Sequence, residues 1–204
     1  MTATDLAPDP FASRLRRHWV ELIRLAWPVM LSRLGILVMA LVDAVMLGRF
    51  DTVALAGFAL GLSIFLPVMV SGIGGTVGVV SVAARHHGAG RTEAAAETFF
   101  HGLWWAAALG CVVIAVSWQA EAILTLVGQD PQLAEIGGGV ARARSLGGFT
   151  QLIFAASAFY LEATKRPLPA MLAMVLANLV NAGLNALVLA GTIPFTGQEA
   201  VGVA

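Results

Sequence analysis

Residues 25–48 read LAWPVMLSRLGILVMALVDAVMLG, an apolar run with a carboxylate, Asp43, well inside it. As a helix at 1.5 Å per residue the run reaches roughly 36 Å, against a hydrocarbon core of about 30 Å that about 20 apolar residues cross. Lipid offers no hydrogen bonds to a backbone, so such a run has essentially one way to cross it, as a helix that satisfies its own N–H and C=O groups. An ionised Asp facing lipid would cost at least about 2.5 kcal/mol, so Asp43 is expected to look into a helix bundle or a wet cavity. It shares a helix face with Ile36, Met39, Ala40, Met46 and Leu47. Two roles are open to it: an acid that holds two helices together, or a cation or proton site.

The rest of the chain repeats the pattern. Of its 204 residues 58% are hydrophobic and only 12% charged, where a soluble domain carries about 25% charged residues, and the mean hydropathy is +0.83. The expected fold is all-α, a polytopic transmembrane helix bundle whose first partner is the lipid bilayer. A formal net charge of zero gives no bulk basicity for nucleic acid. The lone Cys111 excludes an intrachain disulfide or a cysteine metal site. No residue pattern points to a cofactor, a metal site or an enzyme's nucleophile–base pair.

Residues 1–20 hold Pro8, Pro10, Arg14, Arg16, Arg17 and His18 without the apolar core of a signal peptide, and read as a short cytoplasmic tail ahead of a membrane domain over residues 21–204. Span 1 covers residues 25–48, with Pro28 in its first turn, where a missing N–H is cheap, and Arg33 placed to snorkel to the inner interface. Span 2 covers residues 53–84; Pro67 and the small-residue run SGIGGTVG (residues 71–78) permit a kink and close helix approach. Those glycines lack the spacing of a phosphate loop. Residues 85–97, RHHGAGRTEAAAE, read as a polar loop and the start of an amphipathic segment, and His86-His87 has no second ligand cluster to make a metal site. Span 3 covers residues 98–118, with His101, Trp104 and Trp105 near its entrance. An interfacial helix ends at the turn signal Gly128-Gln129-Asp130-Pro131, span 4 covers residues 140–163, and span 5 residues 168–191.

With the N-terminus inside, the cytoplasmic flanks hold eight basic residues (Arg14, Arg16, Arg17, Arg24, Arg85, Arg91, Lys165, Arg166) and the outer flanks three (Arg49, Arg142, Arg144). The positive-inside rule then favours a cytoplasmic N-terminus.

Span 5 supplies a second polar feature. Asn178, Asn181 and Asn185 fall on one stripe with Met171, Met174 and Ala182. Amides on a membrane helix can be glue between helices or neutral oxygen donors to a cation. Asp43 and Asn185 each lie six residues before the outward ends of their spans, Arg49 and Gly191, about 9 Å below the outer interface at 1.5 Å per residue. One carboxylate and two or three amides can therefore converge at one level, as a hard-cation site or as a proton site whose acid is buried.

The segments LAWPVMLSRLGILVMALVDAVMLGR, AARHHGAGRTEAA and NLVNAGLNALVLAG together resemble the first helix, the loop after the second helix and the fifth helix of the multidrug and toxic compound extrusion (MATE) transporters. The likeness covers nearly all of residues 20–204. It implies about five spans of a MATE-type N-terminal lobe, a part of a twelve-helix antiporter that expels cationic or amphipathic drugs in exchange for protons or sodium. The family's coupling acid maps onto Asp43 and its helix 5 amide onto Asn181. Many members have an acid where this chain has Asn185, which favours H+ over Na+ as the coupling ion.

The chain stops where a sixth helix would begin. Its expected partner is accordingly a missing C-terminal lobe, without which it is not expected to transport. Met39, Met46 and Met174 are candidate lining for an adaptable drug cavity. The alternative functions are a lipid-linked saccharide flippase of the same superfamily, which needs cavity-facing arginines among Arg33, Arg142 and Arg144, and a non-transporting membrane remnant.

Overall fold

The computed structural model describes the backbone of residues 11–50 and 52–189, and their side chains except at positions 11–14, 17, 32, 39, 40, 42–44, 46–50, 52, 54 and 184–189. Over these residues the chain is all-α: α1 (Phe11–Phe50), α2 (Thr52–Thr76), α3 (Gly78–Gly88), α4 (Thr92–Trp118), α5 (Ala120–Leu126), α6 (Pro131–Ala163) and α7 (Leu168–Leu189). Among the described residues two segments, Leu55–Gly88 and Thr92–Trp118, are long and apolar enough to cross a membrane by length and composition alone, and Leu168–Gly183 is a shorter apolar helix.

Four local expectations change. Helix α1 begins at Phe11, so residues 11–20 are helical and Pro28 lies inside α1, buried, instead of in its first turn. Helix α6 begins at Pro131 instead of near residue 140. Asp130 Oδ1 accepts from the backbone N–H of Gln132 (2.9 Å) and Leu133 (3.4 Å), and Pro131 takes the first helical position, so the expected turn is also a helix cap. The polar loop shrinks to residues 89–91, because α3 runs to Gly88 and α4 starts at Thr92. Of the two features expected to bend span 2, the break falls in the small-residue run, at Val77, and Pro67 stays inside α2: Val77 N–H bonds Gly74 O and Val80 N–H bonds Val77 O, three-residue steps that tighten the chain between α2 and α3. Trp105 Nε1 of α4 donates to Gly75 O at 3.1 Å, beside that break.

Helices α2, α4 and α6 form the centre. Phe65 and Met69, Ala106 and Val113, and Leu152 and Ala156 make one buried cluster. In lipid no hydrophobic force drives helices together, so association rests on close van der Waals contact, which small residues permit. Gly61 of α2 shows this: a Cβ there would lie 2.6 Å from Gly137 O of α6. Helix α5 lies on α6, while α1 packs chiefly on α7 and less on α2, and α7 touches α6 little.

Candidate functional site

Helices α1 and α7 run side by side in the same direction. Lys165, just before α7, pairs with Glu21 (Nζ to Oε1, 2.6 Å), and further along Gly35 meets Asn178. At Gly35 the helices nearly touch: a Cβ would lie 2.8 Å from Asn178 Nδ2 and 3.0 Å from Met174 Cγ. Glycine is what lets the amide of Asn178 fit between the helices, and that amide donates to the carbonyl of Met174 at 2.9 Å.

Beside this contact lies a mostly apolar groove of about 350 Å³, walled by Leu31, Leu34, Gly35 and Val38 of α1 and by Met174, Asn178, Asn181 and Ala182 of α7, among others. Three of the expected site residues, Asn178, Asn181 and Met174, are thus brought to one groove, all half-buried. Asp43, Met39 and Met46 lie on α1 and Asn185 on α7, but their side chains fall outside the described residues. Met171, on the same stripe, is buried.

Each of the three inward arginines has a described neighbour. Arg33 Nη2 lies 3.4 Å from Glu162 Oε1 and its guanidinium sits 5.3 Å from the centre of the Phe159 ring. Arg142 pairs with Glu121 through Nη2 and donates from Nε to Gly138 O at 3.2 Å. Arg144 lies over Phe58 and Phe65 at 5.5 and 5.9 Å. The Arg142–Glu121 pair opens on a second cavity of about 440 Å³ between α5 and α6, lined also by Trp118 and Thr125. The sequence named these arginines without their carboxylates. The signal was present, since a charge inside a membrane segment needs a partner, but the partners are distant in sequence. At the chain's exposed end, the Lys165 ammonium holds the Glu21 carboxyl below its ordinary pKa. Among the described residues no group of three or more His, Cys, Asp or Glu side chains is arranged to hold a metal ion.

Fold and groove together define a helical membrane bundle with amides set between two co-directional helices. The MatE family model matches residues 28–187. Over 196 residues the chain is 31% identical to the multidrug resistance protein MdtK of Klebsiella pneumoniae (strain 342), covering 93% of this chain and 43% of that protein. Over 203 residues it is 34% identical to the probable multidrug resistance protein NorM of Caulobacter vibrioides, covering 98% and 42%. Among solved structures, a MOP superfamily transporter from Pyrococcus furiosus Vc1 superposes with a TM-score of 0.79 at 23% identity, over 90% of this chain and 40% of that one. A MATE in complex with MaD3S gives 0.80 at 23%, over 90% and 41%. The chain belongs to the MatE family and corresponds to the N-terminal lobe of a MATE transporter. It spans about two fifths of the length of the curated relatives it matches.

Proposed function

We propose that the chain serves secondary active multidrug efflux: antiport of cationic or amphipathic compounds by alternating access, coupled to protons through Asp43, with its N-terminus cytoplasmic in a bacterial inner membrane. Asn181 and Asn185 share the coupling site with Asp43, and Asn178 holds the helix pair below it. A second lobe, in the same or another polypeptide, completes the pathway.

The observation that carries this reading is the register of α1 on α7. Gly35 meets Asn178 on helices running the same way. Eight residues further along both, position 43 is level with position 186, beside Asn185, at the same 1.5 Å rise. The sequence argument from span ends reaches the same level independently. One acid among amides supports a proton over sodium, because with Asn185 in place of a second acid the site has one negative charge fewer to balance a bound cation. Coupling requires that proton and drug bind the two conformations unequally.

The test is Asp43→Asn at the native locus. Proton-driven efflux of a cationic dye should vanish while the protein still reaches the membrane; efflux at the normal rate would remove Asp43 from this role. The flippase reading needs arginines free to hold an anionic lipid head. Arg33 and Arg142 are each engaged by a carboxylate, which argues against it.

A further inference from the structure

The described helices fall into two packing groups. Helices α2, α4 and α6 share the buried core, with α3 and α5 laid against it, whereas α1 and α7 pack chiefly on each other. The seam between the two groups is thin, since α1 packs less on α2 than on α7 and α7 touches α6 little. Arg33 crosses this seam. From α1 it reaches Glu162 and the face of Phe159, both near the end of α6. Phe159 is 7% exposed, so the ring is part of the core and cannot follow the guanidinium. The Glu162 carboxylate side chain is 22% exposed and the Arg33 side chain 41%, so the pair is only half-sheltered by the surrounding helices. An ion pair to a carboxylate is directional, and a ring face adds a second, orthogonal contact to the same planar cation.

We propose that Arg33 is a positioning residue: through Glu162 and Phe159 it tethers the α1–α7 pair to the α2–α4–α6 core. The tether lies ten residues before Asp43 on α1. For transport, its consequence rests on the function proposed above, since it would set the orientation of the helix that carries the coupling acid. A half-sheltered charge contact can be released and remade, unlike the Gly61–Gly137 seam, where backbones touch.

The experiment measures spin-label distances in the full chain in nanodiscs. One pair joins α1 to α6, with Leu37→Cys and Leu146→Cys in a Cys111→Ser background. A control pair stays within the core, joining native Cys111 of α4 to Leu146→Cys of α6. All three sites are exposed. Arg33→Gln and Glu162→Gln should each broaden the α1–α6 distribution and leave the control pair unchanged. The double variant should broaden it no more than either single change, because both remove one contact. Arg33→Lys, which keeps the charge but not the planar stacking, should fall between wild type and Arg33→Gln. An unchanged α1–α6 distribution in the single variants, additive broadening in the double, or equal broadening of the control pair would each overturn the tether. The coupling reading fails separately, if Asp43→Asn leaves drug-evoked proton release intact.

Discussion

Gly35 of α1 and Asn178 of α7 stand so close that a Cβ on the glycine would lie 2.8 Å from the amide nitrogen of the asparagine. One methyl group is therefore enough to test the α1–α7 contact. The amide is the movable end of a side chain, so Gly35→Ala should be accommodated by displacing it from Met174 O, at a cost of about 1 kcal/mol for the lost hydrogen bond. Gly35→Val should cost more. In the Asn178→Ala background Gly35→Ala should be nearly neutral. Thermal unfolding in detergent reads all three variants.

The Gly61 contact has no such freedom. A Cβ there meets Gly137 O, a backbone atom, at 2.6 Å, so Gly61→Ala should force α2 away from α6 and destabilise by about 1–3 kcal/mol. The comparison with Gly35→Ala is the informative one. A smaller loss at position 61 than at 35 would contradict the difference between backbone and side-chain obstruction.

Asp130 caps α6 by accepting two backbone N–H groups. Asp130→Ala should cost about 1 kcal/mol, and Asp130→Asn much less, since either side-chain oxygen can accept. Hydrogen exchange should rise first in the opening turn of α6 in Asp130→Ala.

The Glu121–Arg142 pair is about half-exposed on both sides. Glu121→Gln should therefore cost no more than about 1 kcal/mol. Arg142→Met should cost a similar amount, and the double variant should cost less than the sum of the two.

For Glu21 the sign of the pH effect is fixed. Lys165 hydrogen-bonds and neutralises the Glu21 carboxylate, lowering its pKa in the folded chain. The pairing thus contributes fully above the ordinary carboxylate pKa and is lost as pH falls through the lowered value. Thermal midpoints of wild type and Glu21→Gln should differ slightly at neutral pH and converge in acid. A gap that widens on acidification would show that Glu21 is not held in its charged form.

Much of the fold was legible because membrane helices announce themselves by length and apolarity. The α7 stripe was legible too: helical spacing alone put Asn178, Asn181, Met174 and Ala182 on one face, and that face lines the groove. Helix starts were harder to read. Apolarity marks where lipid is expected to begin, whereas a helix begins where its first N–H groups find acceptors, as at Asp130, or extends beyond the apolar run, as α1 does by starting at Phe11. The ion pairs were not legible as pairs. Arg33 and Glu162 are 129 residues apart, and nothing local in either segment names the other.

The bond from Trp105 to Gly75 O also gives the chain an optical handle on the junction of α2 and α3. An indole N–H engaged by a carbonyl vibrates at a lower frequency than one left in hydrocarbon. The Trp105 donor is set at the place where α2 gives way to α3. A chain keeping Trp105 as its sole tryptophan would turn any straightening or unlatching of that break into a shift of a single spectral line, with no foreign label in the membrane.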